Sequence, residues 1–272
     1  MNLDLLARSY DLEMLRTAAL FDLTSKAGLK QSHAWLRALF VELTRIVEPA
    51  VVLELGAFSA EYSVAAREGL PGAEVHAFEA NPYNFAKHGK HVRRAGVDYH
   101  HFAIGQEVGT ATFNVARRDS GREVEPVAGN NSLRTKPADI EYEAVEVPMV
   151  TVDHFLAERG LAGRPIAMWI DLEGCAYEGL LGAKAALEQT QLMFIEVEDQ
   201  PLWSGQTLSG DMMRHLVGAG MIPLARDFQT KRQYNLIYAR PELLDRAPVR
   251  QALASAFAEA GRLARTRAAD GL

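Results

Sequence analysis

A short apolar run that ends in an acid and a glycine constrains this chain more than any other feature. Residues 51–55 (Val-Val-Leu-Glu-Leu) have the pattern of a buried strand, Gly56 follows, and a helical pattern begins near residue 60. A strand that turns through glycine into a helix is typical of doubly wound α/β folds, which bind nucleotide-like cofactors at the carboxyl ends of their strands. The sequence therefore predicts an α/β fold with a cofactor site after this strand.

A second acid marks the same site. The next apolar run, residues 75–78, ends at Glu79, which lies 25 residues after Glu54 (79 − 54). A carboxylate about 20 residues beyond the turn accepts the ribose hydroxyls of the cofactor in such folds. The turn alone would be explained equally well by an α/β protein that binds no cofactor, and Glu79 shifts the balance toward binding.

The residues that follow Gly56 discriminate between cofactors. A dinucleotide site needs small residues at two further positions of the turn, so that backbone amides can contact the pyrophosphate. This chain has Phe58 and Ala60 there. S-adenosylmethionine carries no phosphate, so the turn favours this cofactor, and an NAD-dependent dehydrogenase is only a remote alternative.

Composition sets wide bounds on the class of protein. The 272 residues are 48% hydrophobic and 24% charged, which is enough to bury the core of one domain with extensions. The single cysteine, Cys175, excludes an internal disulfide and a multi-cysteine zinc site. No apolar run approaches the ~20 residues of a membrane span, and the net charge of −6 argues against nucleic-acid binding. We therefore expect a cytoplasmic protein.

Apolar periodicity divides the chain into three parts. Residues 1–50 are a helical N-terminal extension, residues 51–240 the cofactor domain, and residues 241–272 a helical C-terminal tail. Within the domain, strands are predicted near 51–55, 75–79, 98–103, 166–171 and 192–197, and helices near 60–69, 82–95, 176–188 and 208–219. This alternation predicts a mostly parallel sheet.

One segment interrupts the alternation. Residues 110–115 and 143–150 have the pattern of an antiparallel pair, joined by a polar, glycine-containing loop over residues 117–141. We expect this insertion to cover the site.

Both terminal segments carry apolar stripes. Ser32 is the predicted N-cap of the first helix. The stripes consist of Leu36, Leu39, Phe40, Leu43, Ile46 and Val47 in the first helix, and of Val249, Leu253, Phe257, Ala260 and Leu263 in the last. They predict a homo-oligomer interface or a lid, or else helices that pack on their own sheet.

Acidic residues gather at the ends of two later strands. Residues 168–174 (Met-Trp-Ile-Asp-Leu-Glu-Gly) place Asp171 and Glu173 after one strand, and Glu196 ends the next. Because the carboxyl ends of parallel strands meet at one edge of the sheet, these carboxylates should converge where ligands bind. For Asp171 and Glu196 a functional role is favoured, whereas Glu173 could equally cap the helix that follows.

Several of these segments together resemble the FkbM family of S-adenosylmethionine-dependent methyltransferases. The resemblance covers roughly residues 50–240, and its motifs are Glu54 to Ser63, Phe78 to Pro82, Ala103 to Gly105, Val152-Asp153, Ile170 to Gly174 and Leu180 to Ala183. It implies a class I methyltransferase fold, which is a Rossmann-like seven-stranded sheet with one reversed strand and helices on both faces, and O-methylation of a hydroxyl on a saccharide or natural product. The chain departs from the usual family residues at Phe58, Ala60, Trp169 and Ala176.

The motifs and the resemblance together give a candidate site. The predicted cofactor-binding residues are Glu54, Gly56, Ala57, Ser59, Glu79, Asn81, Ala103 and Asp171. Asp171 is the first candidate for the catalytic group that removes or hydrogen-bonds the acceptor proton, and Glu196 is the second. Glu173 and Trp203 are predicted to contact the acceptor, with an ordinary packing role for Trp203 as the alternative.

Two questions remain open at this stage. Asp171 and Glu196 on adjacent strands would repel each other, and either a divalent cation (Mg²⁺, Mn²⁺ or Ca²⁺) or a shared proton would relieve the repulsion. Alternatives to O-methylation are N-methylation of an amine or peptide and a non-catalytic scaffold with the same fold.

Overall fold

The alternating apolar runs form strands and helices in a computed structural model, which describes residues 18–230 and 232–270. The strands are β1 (Val51–Leu55), β2 (Glu74–Phe78), β3 (Asp98–His100), β4 (Ala103–Ile104), β5 (Gly109–Asp119), β6 (Arg122–Glu123), β7 (Ile140–Val150), β8 (Ile166–Ile170), β9 (Thr190–Glu198), β10 (Ile222–Arg226) and β11 (Gln233–Ala239). The helices are α1 (Lys26–Val47), α2 (Glu61–Gly69), α3 (Pro82–Arg94), α4 (Val152–Glu158), α5 (Ala176–Leu181), α6 (Lys184–Gln189), α7 (Ser209–Gly218) and α8 (Ala247–Asp270), with a 3₁₀ turn at Pro241–Asp245.

Seven strands form the main sheet in the order β10-β11-β9-β8-β1-β2-β3. The pairs β9–β8, β8–β1, β1–β2 and β2–β3 are parallel, whereas β11 runs antiparallel to both of its neighbours. The predicted seven-stranded, mostly parallel sheet with one reversed strand is confirmed.

The register of the central strands brings the predicted motifs to one edge. Leu55, the last residue of β1, is paired with Phe78 of β2 and with Ile170 of β8. The residues that follow these three positions are Gly56, Glu79 and Asp171. The turn and the two acids therefore leave the sheet side by side.

Helices cover both faces of the sheet. One face buries Trp169 and Phe194 against residues of α1, α2, α3 and α8, and the other buries Met168 and Ile195 against α4, α5, α6 and α7. The all-apolar central strands follow from this burial on both faces.

The terminal helices belong to this core. Leu36, Phe40 and Leu43 of α1 are fully buried, and Val249 and Phe257 of α8 lie in the same cluster. Their apolar stripes are covered within one chain, which supports the alternative that both helices pack on their own sheet. Residues 1–17 and the side chain of Leu263 lie outside what the structure describes.

The inserted segment forms a second, smaller sheet with the order β4-β7-β5-β6. β5 and β7 pair antiparallel, from Gly109 with Met149 to Asp119 with Ile140, as predicted. The loop between them bridges back to β5 at Ser132, which pairs with Asn114.

Several predicted boundaries were wrong. Ser32 is not an N-cap, because α1 begins about two turns earlier, and its N-cap Ser25 accepts a hydrogen bond from Gly28 N. The predicted strand at 98–103 divides between the two sheets as β3 and β4, and the predicted helix at 176–188 breaks at Gly182. A side chain at Gly182 would lie 2.1 Å from the Gly105 carbonyl oxygen, so glycine allows this close approach.

Among the described residues, no helix is long and apolar enough to cross a membrane.

Candidate functional site

The turn after β1 has a backbone that only small residues usually adopt. Gly56 has φ = +80°, and a Cβ there would lie 1.8 Å from the Asp171 carbonyl oxygen. Phe58 (φ 46°) and Ala60 (φ 56°) are also left-handed. The turn therefore keeps a glycine-like conformation at two positions that carry side chains, at a cost of about 1 kcal/mol or more each.

Two backbone amides orient Glu79 at the end of β2. Its Oε2 accepts a 2.7 Å hydrogen bond from Phe58 N, and its Oε1 accepts one of 2.7 Å from Asn81 N. Burial raises the pKa of this carboxyl from 4.5 to about 7. Since a carboxylate has about four acceptor positions, each oxygen can still accept one hydroxyl.

A first cavity, cavity A, opens beside Glu79 and has a volume of about 220 Å³. Its walls are mainly apolar: Phe78, Phe102, Ile104 and Leu172. Apolar walls beside the buried carboxyl of Glu79 suit an adenine ring and its ribose. The inserted loop closes the cavity with Ala128, Gly129, Asn131 and Leu133, as predicted for an insertion over the site.

A second cavity, cavity B, has a volume of about 190 Å³ and a polar wall. It shares Gly56, Phe58 and Asp171 with cavity A. The remaining residues that line it are His33, Arg37, Glu54, Ala57, Ser59, Glu61, Trp169, Glu196, Gln229 and Asn235. The two cavities are therefore neighbours, with Gly56, Phe58 and Asp171 bordering both.

The acids at the ends of β8 and β9 converge as predicted. Asp171, Glu173 and Glu196 each present a carboxylate oxygen, and these oxygens lie within 4.8 Å of one another. Burial is the main cause that raises the pKa of all three carboxyls, and the Asp171 charge further raises the pKa of Glu173 and of Glu196. Buried Oε1 of Glu196 has no hydrogen-bond partner among the described residues.

The predicted cofactor residues divide between the two cavities. Gly56 and Asp171 line both; Glu79, Asn81 and Ala103 line cavity A, and Glu54, Ala57 and Ser59 line cavity B. Asn81 also caps α3, where its side chain accepts a hydrogen bond from Tyr83 N. Glu54 accepts a 2.8 Å hydrogen bond from Ser63 N at the start of α2.

Of the two predicted acceptor residues, only Glu173 lines a cavity. Of the two roles that the sequence left open for Trp203, packing is the one its environment supports, because its side chain is buried and lines neither cavity. The indole packs on Gly174, where a Cβ would lie 2.5 Å from its Cδ1, and Lys136 Nζ lies 4.3 Å from the ring centroid. Trp203 therefore has the packing role.

Sequence reasoning missed the contribution of α1. His33 and Arg37 line cavity B, and His33 Nδ1 lies 2.7 Å from Oδ2 of buried Asp227. Asn235 N and Nδ2 each donate a 2.8 Å hydrogen bond to the same carboxylate. Polar residues on one side of the α1 pattern could have indicated a contribution to the site. That pattern does not reveal which turn of the helix faces the site.

Comparison with known proteins identifies the family. A family model described as the methyltransferase FkbM domain matches residues 51–230. A search of curated protein sequences finds no match.

Solved structures give remote similarities. The chain is similar to a putative O-methyltransferase from Klebsiella pneumoniae (12% identity, TM-score 0.42, covering 83% of this chain and 90% of that one). It is also similar to the Burkholderia thailandensis 1,6-didemethyltoxoflavin-N1-methyltransferase solved with 1,6-didemethyltoxoflavin and S-adenosylhomocysteine (15%, 0.38, 80% and 80%). A third similarity is to the N-terminal domain of EvdMO1 in the presence of S-adenosylhomocysteine and D-fucose (12%, 0.40, 78% and 82%).

Proposed function

This chain belongs to the FkbM methyltransferase family and is an S-adenosylmethionine-dependent methyltransferase, and from that premise we propose that it methylates a hydroxyl of a saccharide or natural-product acceptor. The residues present fit the cofactor: Glu79 suits the ribose hydroxyls, the apolar walls of cavity A suit adenine, and Gly56 leaves room for close approach. When bound, S-adenosylmethionine supplies an electrophilic methyl group on its sulfonium sulfur.

The observation that carries the proposal is the position of Asp171, which lines both cavities. A hydroxyl becomes a methyl acceptor when a base accepts its proton. Burial raises the pKa of Asp171, which makes its carboxylate a stronger base than that of an exposed aspartate. Asp171 would therefore accept the hydroxyl proton while Glu196 and Glu173 hydrogen-bond the acceptor.

The inserted loop contributes by covering this region. Asn131 and Leu133 close cavity A, and Ser132 Oγ donates a 2.6 Å hydrogen bond to the Glu173 carbonyl oxygen. This bond ties the loop to the segment that carries the acids. Such a cover excludes bulk water and strengthens hydrogen bonds to the acceptor.

The test is incubation with S-adenosylmethionine labelled at the methyl carbon and a panel of saccharides, hydroxylated natural products and amines, followed by NMR of the products. Labelled methyl on oxygen is expected, and Asp171→Asn should lose turnover while still binding S-adenosylhomocysteine. Asp139→Asn, in the exposed loop, is the matched control and should keep turnover. Label on nitrogen would replace this proposal with N-methylation, and normal turnover in Asp171→Asn would remove the base assignment.

A divalent cation among the acids is a second candidate feature, favoured by the unpartnered Oε1 of Glu196. Asp171, Glu173 and Glu196 offer the oxygen ligands that Mg²⁺, Mn²⁺ and Ca²⁺ prefer, and a bound cation could lower the pKa of an acceptor hydroxyl. In the metal-free alternative, protonated Glu196 shares its proton with Asp171. Titration of each cation into chelator-treated protein distinguishes the two: binding heat that is lost in Glu196→Gln supports the cation, and no heat in the wild type supports the shared proton.

A further inference from the structure

Cavity B receives part of its wall from outside the segment that the family model matches. Arg37 lies on α1, and the matched segment begins only at residue 51. Across the cavity, the walls are formed by the cofactor turn at Gly56 and Phe58 and by Asp171, all three of which also line cavity A. Cavity B, which α1 completes, therefore lies next to the cavity that contains Glu79.

The charges of this wall are distributed unevenly. Glu54, Glu61, Asp171 and Glu196 line cavity B. Among the described residues that line it, Arg37 is the one with a permanent positive charge. A ligand with several positive groups and a single carboxylate would match such a wall.

Arg37 is already oriented toward the cavity. Its Nη2 donates a 2.8 Å hydrogen bond to Glu61 Oε2, and its guanidinium carbon lies 5.4 Å from the Trp169 ring centroid. Burial raises the pKa of Asp171, and the Arg37 charge opposes part of that rise. Because a guanidinium has five N–H donors, the bond to Glu61 leaves others for a bidentate contact with a carboxylate.

We propose that Arg37 of α1, outside the segment that the family model matches, binds the carboxylate of S-adenosylmethionine in cavity B. Glu54 and Glu61 of the same cavity provide the negative charge for the ammonium, and Asp171 and Glu196 remain available to the acceptor. α1 is then part of the cofactor site as well as of the core. This inference rests on the proposed use of cavity A for the adenosine half.

The experiment compares two ligands that differ only at this end. S-adenosylhomocysteine carries the amino-carboxylate, whereas 5′-methylthioadenosine has the same adenosine and sulfur without it. Both ligands are titrated calorimetrically into the wild type and into Arg37→Gln. The variant should bind S-adenosylhomocysteine about tenfold or more weakly than the wild type, because a charge-assisted bidentate contact is lost. Its affinity for methylthioadenosine should differ from that of the wild type by less than about twofold. Lys30→Gln removes an exposed charge from the same helix and should change neither affinity.

Arg37→Lys provides a second variant that keeps the charge but loses the planar donor pair, and it should weaken S-adenosylhomocysteine binding to an intermediate degree. The inference would be overturned if folded Arg37→Gln lost affinity for both ligands equally, or if its affinity for S-adenosylhomocysteine were unchanged. Cavity B would then be left for the acceptor. A wild type that binds neither ligand would instead contradict cavity A as the adenosine site, so the two failures are distinguishable.

Discussion

Glu54 lies in β1, two residues before the turn at Gly56, and burial raises the pKa of its carboxyl from 4.5 to about 7. A folded-state pKa above the unfolded value means that, between these pH values, the folded protein keeps a proton that the unfolded chain has lost. The free energy of unfolding contributed by this group therefore falls as pH rises from about 4.5 to about 7, and the loss is complete above that range. The same direction applies to Glu79 and Glu198, whose pKa values are also raised to about 7 by burial.

Glu54→Gln should flatten this dependence. Since one pKa unit corresponds to about 1.4 kcal/mol, the wild type should lose about 3 kcal/mol of unfolding free energy relative to the variant between pH 4.5 and pH 7.5. Urea unfolding at a series of pH values measures the difference. Glu42→Gln, an exposed acid on α1, is the control, and parallel curves for the wild type and Glu54→Gln would show that burial does not perturb this group.

The helices and strands that apolar runs define were predictable, and those that depend on distant contacts were not. β1, β2, β8 and β9 are buried apolar runs and were found within a residue or two. β10 contains Pro223 and β11 opens with polar residues, so neither pattern stood out; only the family resemblance implied them. Burial of these strands is decided by their neighbours rather than by their own periodicity.

Local signals also misled where a polar side chain has a tertiary partner. Ser32 has the residue type of an N-cap, but it lies inside α1 and accepts a 3.0 Å hydrogen bond from Phe228 N. The residues of the candidate site also differ in whether a local sequence pattern or tertiary packing determines their position. Glu79 and Asp171 follow strands, Glu196 lies near the end of β9, and all three were predicted. Arg37 reaches the candidate site through the packing of α1 on the sheet, which no local pattern reveals.

The end of α1 offers a test of local backbone strain. Glu48 is its C-cap with φ = 54°, and its N–H donates to the Thr44 carbonyl. Glycine adopts this conformation without a steric penalty, so Glu48→Gly should stabilise the protein by about 1 kcal/mol and raise the melting temperature by about 2–4 °C. Thermal unfolding followed by circular dichroism measures the change in melting temperature. Glu48→Ala is the control and should not raise the melting temperature. An equal increase for both variants would rule out the left-handed conformation as the cause.

One core joins the terminal helices to the cofactor domain. Phe40 of α1 lies at ring-centroid distances of 5.1 Å from Tyr62, 5.8 Å from Trp169 and 5.5 Å from Phe194. Trp35 of α1 contacts Phe257 of α8 at 5.3 Å. The terminal helices therefore stabilise the sheet on which the candidate site is built.

Phe40→Ala tests this dependence. Truncation of a fully buried phenylalanine costs about 3–5 kcal/mol of unfolding free energy, and the loss should appear as one cooperative transition if α1 and the sheet unfold together. Val108→Ala, at an exposed position, should change stability by less than about 0.5 kcal/mol. A separate early transition for α1 in the Phe40→Ala variant would show that the helix is an independent unit.

Calorimetric titration of S-adenosylhomocysteine into the wild type and Glu79→Ala tests whether the cofactor's ribose binds at the end of β2. The wild type should bind, and the folded variant should bind roughly tenfold to a hundredfold more weakly, because a bidentate contact to a charged group is lost. Glu74→Ala, at the opposite end of the same strand, should bind like the wild type. Unchanged affinity in folded Glu79→Ala would contradict the assignment of cavity A as the cofactor site.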